Sequence, residues 1–276
     1  MNVFYNEISP KDCYKPYIQK FWILDNIQNP LYTPARYALP NGCCTIVFIS
    51  GNGALFNPAG KTIELPAGAY LSGQITERAG ISLKPFSKAI MAQVKPWFPP
   101  VITSISMNEL VNSVVGLEHI NHILYQQLID IDLTNEGDVI PALYKALDAY
   151  LHTGGDSHFI QWVYNKLRVS TSTPANIANI AIASGYSQRR LEQKFKTLIG
   201  LTAKEVQRIL QLRLLIDDLS KHSYNSHLGA LAHQYGYYDQ SHFIKSYQRI
   251  ILEAPSRFNA GDYILPLTGH FDFLQL

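Results

Sequence analysis

A helix-turn-helix pattern occurs twice near the C-terminal end of this 276-residue chain, first at Ala175 to Gly200 and again at Ser226 to Ile250. Each copy predicts a short apolar helix that ends at a glycine, Gly185 or Gly236. Glycine reaches positive φ without steric cost, so it suits the point where one helix stops and the next leaves at a steep angle. Two such units in tandem favour a protein that reads DNA.

The residues after each glycine predict where the second helix of the unit begins and which face it buries. Ser187 and Asp239 stand at N-cap positions, where each can accept a hydrogen bond from an orphan backbone N–H. Large apolar residues four positions apart fall on one helix face and can dock on the preceding helix. These anchors are Leu191 and Phe195 in the first copy, and Phe243 and Tyr247 in the second.

The second turn is one residue longer than the first, because Phe243 follows its glycine by one residue more than Leu191 does. In this respect the chain resembles the AraC/XylS family of bacterial transcription regulators. Their DNA-binding domain has two such units joined by a long helix, with the same longer second turn. The resemblance implies a connecting helix at Ala203 to Ser220. Its predicted buried stripe consists of Val206, Ile209, Leu210, Leu212, Leu215, Ile216 and Leu219.

The resemblance covers roughly Lys166 to Phe258, and the sequence departs from the family at several points. The family favours Gly-x-Ser-Pro after the first recognition helix, whereas residues 200–203 read Gly-Leu-Thr-Ala. Residues 252–255, Leu-Glu-Ala-Pro, keep only the proline. Gln193 and Gln211 stand where arginines are usual. We expect these changes to alter base preference more than the fold.

The charge of the chain is unevenly distributed, although its net value is only +2. Residues 1–107 and 156–276 each carry an excess of four basic residues, and residues 108–155 carry an excess of six acidic ones. Within residues 187–199, four basic residues stand against Glu192 alone. A charged helix face is often merely solvated. Here the tandem arrangement favours an electrostatic footprint for phosphate, and double-stranded DNA as the partner.

Residues near the start of each recognition helix that lie opposite the buried anchors are expected to read bases, and other basic residues of the helix are expected to contact phosphates. Arginine suits guanine, glutamine suits adenine and glutamate accepts from cytosine, whereas isoleucine suits the thymine methyl group. The predicted base-reading residues are Gln188, Arg189, Glu192 and Gln193 in the first copy, and Gln240, Ser241, Ile244 and Lys245 in the second. The predicted phosphate contacts are Arg190, Lys194, Lys196 and Arg249.

The N-terminal part has short apolar stretches separated by Pro, Gly and Asn clusters, which predicts a β-sandwich or barrel. The segments YKPYIQKFW, LPNGCCTIVFISGNG and AQVKPWFPP resemble the cupin-like sensor domain found ahead of some regulators of the same family. Many cupins hold a metal through histidines and a glutamate. All nine histidines lie at or after His119, so we expect no metal and no cofactor in this domain.

Aromatic residues of this domain are candidates for a pocket that binds a small-molecule effector. For each of them, packing in an ordinary core is the alternative. The candidates are Trp22, Tyr37, Phe48, Tyr70, Phe86, Trp97 and Phe98.

Apolar residues at alternating spacings of three and four predict a heptad seam between the two regions, with Asn121 at an a position. Such a seam could form a homodimer. The alternative is that it packs on its own β domain or on Leu143, Leu147 and Leu151. The seam consists of Met107, Leu110, Val114, Leu117, Asn121, Leu124, Leu128 and Ile131.

The predicted fold class is therefore α+β with several domains. We expect a cupin-like β-barrel or sandwich at residues 1–107 and a helical connector at 108–165. An all-α double helix-turn-helix at 166–260 and an apolar tail at 261–276 would follow. No apolar run approaches the roughly 18 residues of a membrane span, and residues 1–10 lack the basic and apolar regions expected of a signal peptide. An odd number of cysteines favours a reduced, cytoplasmic protein without membrane contact.

No phosphate loop, nucleophile elbow or metalloprotease motif occurs in the sequence, so we expect a regulator and no enzyme. One alternative is a metal-free cupin-like enzyme, or a DNA-repair regulator with a reactive cysteine among Cys13, Cys43 and Cys44. A buried, inert thiol is the simpler interpretation of each. A helix-turn-helix pair that serves only protein contact is the third alternative, and it would show no salt-dependent DNA affinity.

Overall fold

In the part of the chain that the structure describes, ten antiparallel strands form two sheets in the N-terminal half of the molecule. The computed structural model describes residues 4–128, 130–151, 155–168, 175–221 and 228–264. The larger sheet has the order β1-β2-β9-β4-β7-β10, and the smaller has the order β3-β8-β5-β6. The strands are β1 (Phe4–Ile8), β2 (Ile18–Asp25), β3 (Arg36–Ala38), β4 (Cys44–Ser50), β5 (Ala54–Asn57), β6 (Ile63–Leu65), β7 (Gly68–Ser72), β8 (Ala79–Leu83), β9 (Lys88–Val94) and β10 (Val114–Gly116).

The larger sheet is covered on both faces. Alternate side chains of each strand point to opposite sides, so neighbouring residues belong to different apolar clusters. In β4, Val47 and Ile49 pack towards the smaller sheet, whereas Ile46 and Phe48 pack towards helices on the other side. All seven residues of β9 are buried in the same two-sided way. The two sheets stay separate, so the β-rich domain is a sandwich and not a closed barrel.

Helices cover the outer face of the larger sheet and form the C-terminal half. They are α1 (Pro99–Ile102), α2 (Leu117–Ile120), α3 (His122–Gln126), α4 (Glu136–Leu147), α5 (Gly155–Arg168), α6 (Ile177–Ala183), α7 (Gln188–Ile199), α8 (Ala203–Lys221), α9 (Leu228–Gln234) and α10 (Gln240–Ile251). Short 3₁₀ turns lie at Asp12–Tyr14, Met107–Leu110, Asp148–Tyr150, Pro255–Arg257 and Ala260–Asp262. In the described part of the chain, no helix combines the length and the apolar character needed to cross a membrane.

The predicted continuous heptad helix between the two halves is wrong. Its residues form the 3₁₀ turn Met107–Leu110, then β10, α2 and α3. Strand β10 pairs with β7, so the sandwich continues to Gly116. A sheet edge at this point competes with the helical pattern, and the β-branched pair Val114-Val115 favours the strand.

Asn121 lies at the break between α2 and α3, where it stabilises the start of α3, and it does not set the register of paired helices. Its side-chain oxygen accepts a hydrogen bond from the Leu124 backbone N at 2.9 Å and so caps α3. Its Nδ2 donates to the Ile102 carbonyl at 2.8 Å and to the Tyr150 hydroxyl at 3.0 Å. Met107, Leu110, Leu117, Leu124 and Leu128 of the seam are buried inside the chain together with Leu143 and Leu147, and Val114 and Ile131 are half-buried. This surface is therefore not available to a second copy.

The C-terminal helices surround α8, whose apolar side is buried as predicted. The Leu219 side chain lies outside the described residues. Leu39 and Trp97 of the β-rich half belong to the same apolar cluster as Ile160 and Tyr164 of α5. The two halves thus share a core.

The start of the apolar tail packs on the smaller sheet. Tyr263 forms a parallel bridge with Tyr37, and the Ile264 backbone N donates to the Tyr37 carbonyl at 2.9 Å. Residues 265–276 of the tail lie outside the described part of the chain.

Candidate nucleic-acid interface

The first helix-turn-helix unit consists of α6 and α7. Gly185 has a φ of 73°, the left-handed conformation that the turn between the helices needs. The Ser187 hydroxyl then accepts from the Arg190 backbone N at 3.3 Å and caps α7. Leu191 and Phe195 are fully buried on one side of α7. The opposite side, which carries the predicted DNA contacts, is therefore directed away from the core.

The second unit, α9 and α10, is built in the same way. Gly236 has a φ of 74°, and the Asp239 carboxylate caps α10 by accepting from the His242 backbone N at 2.7 Å. Phe243 and Tyr247 are fully buried, and their ring centroids lie 5.7 Å apart in an edge-to-face contact. These anchors hold α10 against the core through its apolar side.

Most of the predicted base-reading side chains are exposed at the start of α7 and α10. Ile244 is half-buried and packs against the apolar cluster of the C-terminal half. The exposed members are Gln188, Arg189, Gln193, Gln240, Ser241 and Lys245.

Glu192 has a different position from the one expected of a base-reading residue. Its carboxylate oxygen Oε2 accepts from the Ala203 backbone N at 3.0 Å, so it caps the start of α8. The family has a proline at position 203, which has no N–H, whereas alanine has one that needs an acceptor. The missing proline in the sequence is thus the signal for this contact, and the reading of a base by Glu192 stays a prediction.

Two predicted phosphate contacts lie beside aromatic rings that the sequence analysis did not single out. The Arg190 guanidinium is 5.2 Å from the Tyr186 ring centroid. Lys194 Nζ is 5.1 Å from the Phe159 centroid and 5.6 Å from that of Tyr186. A ring face attracts a cation and restricts where it lies. The remaining two, Lys196 and Arg249, are exposed.

A cleft of about 460 Å³ separates the β-rich half from the second recognition helix. We call it the interdomain cleft. One wall is formed by Thr76 and Glu77, from the loop of residues 73–78 that joins β7 to β8. The opposite walls come from α8 and α10, and consist of Glu205, Arg208, Ile209, His242, Lys245, Ser246, Arg249 and Ile250.

Arg78, at the end of the same loop, ties the β-rich half to the end of α10. Its backbone N donates to the Ile250 carbonyl at 2.7 Å. Its guanidinium pairs with Glu253 at 3.0 Å and lies 4.2 Å from the Tyr37 ring centroid. Tyr263 hydrogen-bonds to both charged partners. Burial and the hydrogen bond to Glu253 raise the pKa of Tyr263 above its usual range.

A second cavity, of about 70 Å³, lies between the two sheets. We call it the inter-sheet cavity. It is mainly apolar and is lined by residues of both sheets and by Gly73 and Ile75 of the 73–78 loop. Its side walls include Trp22, Cys43, Val47, Ala54, Phe56, Leu65, Leu83 and Met91.

The structure does not bring the predicted pocket aromatics together. Trp22 lines the inter-sheet cavity, but Phe48 and Phe98 are buried on the other side of the larger sheet. Trp97 packs with the C-terminal helices, and Tyr37 contacts Arg78. Of the remaining two, Tyr70 donates to the Pro66 carbonyl, and Phe86 is half exposed. Alternation along the strands accounts for the separation of Trp22 from Phe48, because neighbouring positions face opposite sides of a sheet.

Among the described residues, no cluster of three or more His, Cys, Asp and Glu side chains is arranged to hold a metal ion. Cys13 is exposed, whereas Cys43 and Cys44 are buried. Burial raises the pKa of the Cys44 thiol, which disfavours the thiolate that a nucleophile requires.

Two family models match the chain. A helix-turn-helix domain matches residues 171–261, and a domain of unknown function (DUF6597) matches residues 6–116. A comparison with curated proteins finds no significant match.

Solved structures of regulators are similar over most of the chain or over its C-terminal part. One is ToxT from Vibrio cholerae with bound unsaturated fatty acid, at 13% identity, covering 92% of this chain and 93% of that one, with a TM-score of 0.45. Another is ToxT bound to (E)-4-(8-methylnaphthalen-1-yl)but-3-enoic acid, at 11% identity, 91% and 97% coverage, and a TM-score of 0.47. An AraC-type regulator from Chromobacterium violaceum matches at 20% identity, covering 36% of this chain and 90% of that one, with a TM-score of 0.31.

Proposed function

Because the chain carries an AraC-type helix-turn-helix domain at residues 171–261, we propose that it regulates transcription by placing α7 and α10 in the major groove of double-stranded DNA. One observation carries this proposal: each of these helices buries its apolar anchors and presents polar residues on the other side. Such a protein would act in the cytoplasm, which fits its three free cysteines.

We assign base reading to the exposed polar residues at the start of the two helices. Arg189 can bond guanine O6 and N7 with both arms of its guanidinium, and Gln188 and Gln240 can pair with adenine. Arg190 and Lys196 are suited to phosphates, which fix the position of the protein without reading sequence. The Glu192 carboxylate is directed to α8, so cytosine recognition is not assigned to it.

Substitution of Lys196 tests the phosphate assignment. Lys196 is exposed on α7, and we expect Lys196→Ala to weaken binding about two- to three-fold on every duplex sequence alike. The slope of log affinity against log salt should fall by about one, because one fewer counterion is released. Titrations of a labelled duplex at several salt concentrations measure both quantities. A loss confined to one preferred sequence would contradict the assignment.

We also propose that an effector binds in the inter-sheet cavity and that regulation is ligand-responsive. At about 70 Å³ the cavity is smaller than the roughly 300 Å³ or more that ligand pockets usually occupy. A larger occupant must therefore move the walls, which include the 73–78 loop beside α10. A ligand that prefers one arrangement of the walls shifts the population towards it.

Filling the cavity tests this role. Ala54 is buried on β5 and lines the inter-sheet cavity, so Ala54→Leu places three more carbon atoms there. We expect mass spectrometry to detect a small molecule released from the denatured wild-type chain and not from this variant. Ala67→Leu, at an exposed position, adds the same atoms outside the cavity and is the control. Recovery of the same molecules from all three chains, or of none from any, would contradict the proposal.

A further inference from the structure

The interdomain cleft is lined by three basic residues, one of which, Arg208, is not among the predicted DNA contacts. Arg208 of α8 faces it together with Lys245 and Arg249 of α10. Two carboxylates face the same space, but that of Glu205 accepts hydrogen bonds from the backbone N and the hydroxyl of Thr202, both at 2.8 Å. Glu205 thus closes a capping box at the start of α8.

Glu77 is the other carboxylate, and it comes from the β-rich domain. Within the described part of the chain, no hydrogen bond or ion pair engages the Glu77 side chain, which is half-buried. It therefore adds a negative charge to a space bordered by three cations of the DNA-binding half. A carboxylate in such a site repels a phosphate group, because both are negatively charged.

The 73–78 loop holds Glu77 in this place from both sides. The Thr76 backbone N donates to Asn112 Oδ1 at 2.9 Å, and Asn112 Nδ2 donates back to the Thr76 hydroxyl at 2.8 Å. On the other side, the Arg78 backbone N donates to the Ile250 carbonyl of α10 at 2.7 Å. These bonds fix the backbone on both sides of Glu77, so the loop cannot move away from α10 without breaking one of them.

Building on the proposed function, we propose that the interdomain cleft binds the DNA backbone beside α10 through Arg208 and Arg249, and that Glu77 competes with the phosphate there. Glu77 then restrains DNA binding in the arrangement of domains seen here. Gly73 and Ile75 of the same loop line the inter-sheet cavity. Displacement of that wall would move Glu77 out of the cleft and remove the restraint.

The test uses the full chain and a fluorescent duplex of about 30 base pairs with mixed sequence, long enough for two adjacent major grooves. We expect Glu77→Gln, which keeps the shape and removes the charge, to tighten binding about two- to five-fold at low salt. Glu64→Gln makes the same change of net charge at an exposed residue of β6 outside the cleft, where it removes only an ion pair with Lys84, and should leave affinity unchanged. Thermal unfolding of each variant checks that it is folded.

Arg208→Gln should weaken binding about two- to three-fold, and adding Glu77→Gln to it should give a smaller gain than in the wild-type background. Failure of both the wild-type chain and Glu77→Gln to bind duplex would refute the proposed function itself. If the wild-type chain binds and Glu77→Gln equals Glu64→Gln, the restraint by Glu77 is refuted while the regulator remains. A gain unchanged by Arg208→Gln would likewise refute action through this cleft.

Discussion

Phe195→Ala is expected to cost about 3–5 kcal/mol of unfolding free energy and to abolish DNA binding. Phe195 is fully buried in the apolar cluster of the C-terminal half, beside Leu191 and Ile199 of the same helix. Removing the ring leaves a cavity where α7 docks on its neighbours, and a close-packed core cannot collapse around it without cost. The first recognition helix then loses the orientation that presents Arg189.

Thr197→Ala is the matched control, because Thr197 is exposed two residues further along α7. A surface change of this kind alters stability by about 0.5 kcal/mol or less. Urea unfolding followed by far-ultraviolet circular dichroism measures both variants, and duplex titration measures their binding. If Phe195→Ala unfolds at the same urea concentration as Thr197→Ala, α7 is not anchored through this ring.

Arg189→Ala is expected to reduce affinity for the preferred operator by about 5- to 150-fold, which corresponds to about 1–3 kcal/mol of lost discrimination. Arg189 is the second residue of α7 and is exposed, so its side chain is free to reach a base edge. Its loss removes a bidentate contact that the wrong base cannot make. Affinity for a duplex of mixed sequence should change little.

Competition titrations with the preferred operator and with mixed-sequence duplex give the ratio of the two affinities. The ratio should fall in Arg189→Ala and stay constant in Lys196→Ala. An equal loss on both duplexes in Arg189→Ala would place Arg189 on the phosphate backbone and contradict its assignment to a base.

The helix-turn-helix units could be predicted because their determinants are local. Gly185, Ser187 and the anchors of α7 are close together in sequence, so spacing alone indicates the turn, the cap and the buried face. The same holds for the short strands of the N-terminal domain, whose turns are marked by glycine and proline.

The structure of the connector could not be predicted, because a repeat of apolar residues does not indicate which other part of the protein packs on those residues. Met107, Leu117 and Leu124 satisfy a heptad pattern, yet they pack on the sheet and on α4 of their own chain. Pairing of β10 with β7 and the bonds from Asn121 to Ile102 bring together residues distant in sequence, which no local pattern records.

The surroundings of the second recognition helix depend on contacts between the two halves, and a local sequence motif does not predict such contacts. The positions of Glu77 and Arg78 beside α10 follow from how the sandwich packs on the helices. In contrast, the capping role of Glu192 had a local cue, since Ala203 replaces a proline and presents an N–H. Departures from a family pattern thus carry structural information of their own.

Selection of bound fragments from a random pool of duplex DNA by the full-length chain, followed by sequencing, tests the central claim most directly. If α7 and α10 both read bases, the selected fragments will share two short conserved elements with centres about 10–10.5 base pairs apart, one helical turn of B-form DNA. Enrichment of no sequence over the starting pool, or binding that does not weaken as salt is raised, would contradict DNA reading by this pair of helices.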